Sequence, residues 1–115
     1  MRAYELMIIF DGDLDESAVS AQLEKITNTI EGEGGRVASL LDTAPWGRRR
    51  FAYRINHKWE GIYAVLEVVT TARDLASTDR TLRLADRSEV VRHKILRLPE
   101  EEAIRRGLLE KEIPV

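Results

Sequence analysis

Residues 4–10 read YELMIIF, and this apolar run decides how the rest of the chain folds. Its length is typical of a β-strand, and its end is apolar on both faces. Strands of that kind are covered on both sides and lie in the interior of a sheet. We therefore predict an interior strand here. The flanking sequence must then supply the neighbouring strands and the helices that cover them.

Two helices and three further strands are predicted around this first strand. Asp13 and Glu16 fit a capping box, and an apolar stripe at helical spacing follows it: Val19, Leu23, Ile26 and Ile30. A strand pattern covers residues 36–41 and, after Pro45, resumes over residues 46–55. Residues 56–61 form a polar connection, and strands at 62–69 and 90–96 flank a second helix capped by Thr71 and Asp74.

The element order is therefore β-α-β-β-α-β. Right-handed crossovers then place both helices on one face of a four-stranded antiparallel sheet with strand order 4-1-3-2, the ferredoxin-like α+β arrangement. The other sheet face has no helix over it, which suggests that a partner docks there. We expect a domain at residues 1–98 and a C-terminal tail at residues 99–115, either a short helix or mobile.

Composition excludes several classes of protein. The chain of 115 residues contains no cysteine, which excludes disulfides, thiolate metal sites and cysteine nucleophiles. It contains no apolar run of about 20 residues, the length that a membrane span needs. His57 and His93 lie far apart with no third ligand near them in sequence, so no metal site is predicted. These features predict a soluble cytoplasmic protein without a cofactor.

Charge is distributed unevenly along the chain. The net charge is −2, but residues 1–33 carry a net −6 and residues 34–98 a net +6. Residues 46–58 contain five basic residues and no acidic one. The basic run therefore favours an anionic partner, although the chain as a whole is acidic.

The basic run has the alternation of a strand. Arg48, Arg50 and Arg54 fall on one face, and Arg49 and Tyr53 on the other. Forked guanidinium donors match phosphates, and Trp46 and Tyr53 can stack on unpaired bases. RNA is favoured over duplex DNA because no helix-turn-helix or basic-zipper pattern is present. The alternative is a solvated strand face whose arginines pair with the acids of residues 1–33.

Three stretches resemble one known family, bacterial small-subunit ribosomal protein six. They are MRAYE at the start, WGRRRFAYRI at residues 46–55 and GIY at residues 61–63. Phe51 and Arg54 stand where the family commonly has leucine and proline. The order and spacing of these stretches match the family over residues 1–98, and the arginine-rich stretch is the most specific of the three.

This resemblance implies a ferredoxin-like structural protein of the small ribosomal subunit, not an enzyme. It implies binding to the central domain of small-subunit rRNA as a heterodimer with ribosomal protein eighteen, with a role in assembly and translation. The residues expected to contact the RNA phosphate backbone are then Arg2, Arg48, Arg49 and Arg50, supported by Tyr4 and Trp46. From the basic run and from one face of an edge strand we add four further RNA-binding candidates: Arg54, Lys58, Arg92 and Lys94.

Two other functions stay open at this point. Small ferredoxin-like domains can hydrolyse acyl phosphates with an arginine and an asparagine, and here Arg2 or Arg48 with Asn28 or Asn56 are available. Against this, the turn at residues 11–15 is acidic and would repel the substrate, and no motif of a nucleophilic or metal hydrolase is present. The second alternative is a regulatory or oligomerising module whose open sheet face binds a copy of itself or a small ligand.

Overall fold

The structure, a computed structural model, describes residues 1–41, 47–55, 58–71, 75–86 and 89–110, with backbone alone for residues 51–55 and 58. It contains five strands and three helices in these ranges. In chain order they are β1 (Arg2–Asp11), α1 (Glu16–Gly32), β2 (Gly35–Leu41), β3 (Gly47–Ile55), β4 (Lys58–Thr70), α2 (Ala76–Leu84), β5 (Val90–Arg97) and α3 (Glu100–Arg105).

The strands form one antiparallel sheet in the order β2-β4-β1-β5, with β3 also paired to β4. The interior position of the first strand and the ferredoxin-like arrangement are thus confirmed. The strand count is corrected from four to five, because the predicted second strand is two strands that follow one another along the same edge of β4. Gly47 has a φ of 89°, in the left-handed region that interrupts a strand.

β4 is longer than predicted. The polar connection predicted at residues 56–61 is wrong for residues 58–61, which are strand and pair with β3. β1 pairs with β4 only as far as Asp11 opposite Gly61, so Lys58–Glu60 extend past the end of β1. The charged residues Lys58 and Glu60 suit this extension, because among the described residues no strand flanks it on the β1 side. β3 and residues 58–63 of β4 are called the arginine hairpin below.

The main core lies between the sheet and the first two helices. Alternate residues of β1 face it, and Leu6, Ile8 and Phe10 are fully buried. Ile26 and Ile30 of α1 and Leu82 of α2 pack against the same cluster. Each such side chain contributes roughly 1.5–3 kcal/mol by leaving water. This core fixes the position of β4 and therefore of the arginine hairpin.

The helices begin differently from the prediction. Asp15, not Asp13, caps α1, because its carboxylate accepts a hydrogen bond of 2.8 Å from the Ala18 N–H. The cap predicted for the second helix involves Asp74, which lies outside the described residues. Instead, Glu33 at the end of α1 accepts hydrogen bonds from the Ser77 N–H (2.7 Å) and the Thr78 hydroxyl (2.8 Å). α1 and α2 are thereby joined at one end.

The opposite sheet face carries a second, smaller apolar cluster. Ala103 of α3 is buried with Ala3 and Leu98, and Leu108 and Leu109 pack against them. α3 therefore covers the end of this face at which β1 begins. None of the helices described is long and apolar enough to cross a membrane.

Candidate nucleic-acid interface

The pairing register fixes which way the arginines of β3 face. Arg48 lies opposite Ile62, Arg49 opposite Gly61 and Arg50 opposite Glu60. Ile62 packs against the main core, so Arg48 and Arg50 belong to the helix side of the sheet and Arg49 to the other side. All three arginines are exposed. The alternation expected from the sequence is present, and the hairpin displays cations on both of its faces.

Arg48 is held by its own chain. Its Nη1 donates a hydrogen bond of 2.7 Å to the Gly12 carbonyl and lies 3.7 Å from Glu60 Oε2. About half of the side chain, 51%, is exposed. The turn after β1 contacts the hairpin closely here, since a Cβ on Gly12 would lie 2.6 Å from the Glu60 carbonyl oxygen. This contact fixes the hairpin relative to β1.

Arg49 and Arg50 lie over aromatic rings. The Arg49 Cζ is 5.4 Å from the centroid of Tyr63, and the Arg50 Cζ is 5.6 Å from that of Trp59. Stacking of this kind contributes about 0.5–1 kcal/mol at exposed sites and leaves the positive charge unneutralised. Among the side chains that the structure describes, no carboxylate forms an ion pair with either guanidinium. Within the described part of the chain the two cations are thus oriented and without a carboxylate partner.

A cavity of about 330 Å³ lies beside these groups. Gly12 and Asp13 of the turn line it together with Arg50, Trp59 and Glu60 of the hairpin. It offers a guanidinium, an aromatic ring and carboxylate acceptors at one place. Arg50 can contact a phosphate and Trp59 can stack on an unpaired base, whereas the carboxylates repel phosphate and can only accept hydrogen bonds from base amino groups.

The other predicted residues are distributed as follows. Tyr4 is 4% exposed within the main core, so its ring packs rather than meeting a ligand, and we remove it from the candidate interface. Arg2 is half-buried at the start of β1. Trp46 lies outside the described residues, as do the side chains of Arg54 and Lys58.

Arg92 and Lys94 form a separate group. Both are exposed on β5, opposite Ile9 and Met7 of β1, on the sheet face away from α1 and α2. β5 and β3 lie at opposite edges of the sheet, three strand spacings or roughly 14 Å apart. The structure therefore does not place them beside the arginine hairpin.

Sequence reasoning misses the two aromatic partners. Trp59 falls within the predicted polar connection, and Tyr63 is predicted only as part of a strand. Extending the period-two pattern backwards from Ile62 would include Trp59 in the strand. Alternation would then place both aromatic residues on the face of Arg49, which indicates its contact with Tyr63 but not the contact of Arg50 with Trp59.

Comparison with known proteins gives one consistent result. The family model described as "Ribosomal protein S6" matches residues 3–97. The "Small ribosomal subunit protein bS6" of Salinispora tropica is 44% identical over 97 residues, which cover 84% of this chain and 96% of that protein. The protein of the same name from Leifsonia xyli is 42% identical over 100 residues, covering 87% of this chain and 74% of that protein.

A solved structure agrees with this result. The crystal structure of 30S ribosomal protein S6 from Thermotoga maritima superposes with a TM-score of 0.79 at 25% sequence identity, covering 92% of this chain and 95% of that one. The relatives are named as ribosomal proteins and not as enzymes, which confirms the prediction of a non-catalytic role. The chain belongs to the Ribosomal protein S6 family and is a structural component of the small ribosomal subunit.

Proposed function

We propose that this ribosomal protein binds the central domain of small-subunit rRNA together with ribosomal protein eighteen, during assembly of cytoplasmic ribosomes. Within this proposal residues 1–98 form the rRNA-binding domain, and residues 99–115 are a C-terminal segment that begins with α3. The observation that carries the proposal is the stacking of Arg49 and Arg50 on the rings of Tyr63 and Trp59.

The stacking favours RNA binding because it reduces the side-chain entropy that the arginines lose when they bind. An exposed arginine on a flexible loop loses rotamer freedom when it contacts a phosphate, and that loss weakens binding. Arg49 and Arg50 are already oriented by rings on the neighbouring strand, and Arg48 is held by the Gly12 carbonyl. Arg49 and Arg50, already oriented, then replace the counterions of phosphates with little further ordering, whereas the charge of Arg48 is shared with Glu60.

A partner protein would also account for the charge of this chain. The net charge of −2 means that this chain by itself has no general attraction for RNA. A basic protein docked on the sheet would complete a positive surface. Arg92 and Lys94 are exposed on the face away from α1 and α2, so in this proposal they lie beside such a partner or beside the RNA next to it.

The test is a salt titration of binding to a central-domain rRNA fragment in the presence of ribosomal protein eighteen. The variant is Arg49→Ala with Arg50→Ala, and the control is Arg80→Ala with Arg83→Ala on α2, which removes the same charge elsewhere. The first variant weakens binding and flattens the slope of log K against log salt by roughly 0.7–0.9 for each phosphate that the protein no longer neutralises. An unchanged slope in the hairpin variant, or an equal change in the control, overturns the proposal.

A further inference from the structure

Two carboxylates face each other at the centre of the sheet face that α1 and α2 leave open. Glu5 of β1 and Glu67 of β4 are direct partners in the antiparallel register. Like charges placed directly opposite one another destabilise a sheet. Their side chains are 26% and 15% exposed, so water screens this repulsion only in part. Such a pair needs a cation.

The cation in this structure is Arg106, which follows α3. Its Nη1 lies 2.8 Å from Glu5 Oε2 and 3.2 Å from Glu67 Oε2, and its Nε donates a hydrogen bond of 2.9 Å to Glu102. Hydrogen bonds to Glu5 and then Glu102 raise the pKa of Arg106 above its ordinary value. The Ser39 hydroxyl donates a bond of 2.5 Å to the other oxygen of Glu67. The two carboxylates therefore accept hydrogen bonds from one nitrogen of the guanidinium group, while Glu102 accepts from another.

The element that supplies Arg106 is a short helix on the smaller apolar cluster. α3 has six residues and packs through the small cluster of Ala3, Leu98 and Ala103. Short segments with little buried apolar area open locally at low free energy. Next to the carboxylates the sheet face stays apolar and accessible: Leu96, opposite Glu5 on β5, is 47% exposed, and Leu41 of β2 is 44% exposed.

We propose that Glu5 and Glu67 form a guanidinium-binding notch for an arginine of the basic protein that docks on this face, and that Arg106 occupies the notch while the partner is absent. The inference rests on the proposed function for the existence of that partner. Local charge complementarity supports it, since Glu5 and Glu67 place two carboxylates side by side on this face. Arg106 is then a competitor of the partner, not a contact to it.

Competition predicts opposite effects for the two sides of the ion pair. Arg106→Gln empties the notch, and the Kd for ribosomal protein eighteen, measured by calorimetry without RNA, falls about threefold or more because no internal ligand has to be displaced. Glu5→Gln with Glu67→Gln removes the receptor and raises the Kd. Arg106→Lys keeps one charge but not the forked geometry, and its Kd lies between those of the wild type and Arg106→Gln. Thermal melts establish that each variant is folded.

The outcomes separate the two proposals. If Arg106→Gln and the double variant Glu5→Gln with Glu67→Gln shift the Kd in the same direction, the ion pair serves only to hold α3 in place. That result overturns the notch proposal. Weaker binding by Arg106→Gln also overturns it, since Arg106 would then be part of the interface. If the wild type does not bind ribosomal protein eighteen at all, the proposed function fails, and the notch proposal fails with it.

Discussion

The guanidinium of Arg50 lies over the indole ring of Trp59, its Cζ 5.6 Å from the ring centroid, across the two strands of the arginine hairpin. Cation–π contact orients the arginine without consuming its charge. An arginine paired with a carboxylate at this position would be oriented equally well, but its positive charge would be largely neutralised and would attract an anion only weakly. The pairing of β3 with β4 therefore positions a cation that stays charged, as the proposed binding of rRNA requires.

Trp59→Ala tests this link. The variant leaves Arg50 in place but removes the ring that orients it, so binding to the rRNA fragment weakens by about 0.5–1 kcal/mol, roughly two- to fivefold. Because Trp59 is 47% exposed, the protein stays folded. Trp59→Phe keeps a ring and loses less affinity. Filter binding at one salt concentration measures all three proteins, and equal affinity in the alanine variant would speak against orientation by stacking.

Gly12→Ala tests the contact between the turn and the hairpin. The new Cβ would lie 2.6 Å from the Glu60 carbonyl oxygen, so the hairpin or the turn must move. We expect a loss of about 1–3 kcal/mol in the free energy of unfolding and weaker rRNA binding, because Arg48 loses its fixed position. Chemical denaturation and filter binding measure the two effects.

Gly32→Ala is the matched control for that experiment. No atom of the described residues lies within 4 Å of the added methyl group, and Gly32 ends α1. Alanine there stabilises the protein by about 0.4–1 kcal/mol through the unfolded chain and leaves rRNA affinity unchanged. A destabilised Gly32→Ala, or an unaffected Gly12→Ala, would contradict the packing described at these positions.

Glu33→Gln tests the cap that joins α1 to α2 and predicts a dependence on pH. Partial burial alone would raise the pKa of Glu33, but hydrogen bonds from Thr78 and Ser77 outweigh it and hold that pKa below its ordinary value of 4.5. The folded state thus favours the carboxylate, and its stabilising effect is present above pH 4.5 and is lost as the pH falls through the lowered folded value.

The variant is expected to lose about 0.5–1 kcal/mol near neutral pH and to converge with the wild type in strong acid. Urea denaturation across a pH series measures this. Glu31→Gln, an exposed position of the same helix, is the control. A difference between Glu33→Gln and the wild type that does not change with pH would show that the charge on Glu33 has no part in the cap.

Two variants of Tyr4 distinguish a role in core packing from a role in rRNA recognition. Its ring is buried in the main core, so Tyr4→Ala should cost about 3–5 kcal/mol of stability, as large aromatic truncations in cores do. Tyr4→Phe keeps the ring and should leave rRNA affinity at the wild-type level. A selective loss of rRNA binding in the folded Tyr4→Phe protein would return this residue to the interface.

The parts of the fold that can be predicted depend on local pattern. The strand at residues 4–10 is predictable because apolar residues occur on both of its faces. The pairing of β1 with both β4 and β5 confirms its interior position in the sheet. The helix stripe ending at Ile30 is buried as its spacing indicates. The extension of β4 is not predicted because Lys58 and Glu60 are charged and precede a glycine, a composition that is typical of a connection.

The parts that cannot be predicted depend on contacts between distant residues. The acceptor that caps α2 is Glu33, 44 residues before Ser77 in the chain. Arg106 meets Glu5 across a separation of 101 residues. A single sequence contains no local signal for either contact. The arginine cluster is predictable because it lies on one strand, whereas its aromatic partners lie on the next.

The most direct test of the account is to locate the arginine hairpin on the assembled subunit. The chain contains no cysteine, so Glu60→Cys on the exposed hairpin and Glu24→Cys on α1 each give a single attachment site for an iron chelate that generates hydroxyl radicals. After assembly into small subunits, cleavage of the rRNA is read by primer extension. If the arginine hairpin lies on the rRNA, position 60 gives strong cleavage within the central domain and position 24 gives weak or no cleavage there. Cleavage from position 24 with none from position 60 would contradict this placement of the hairpin.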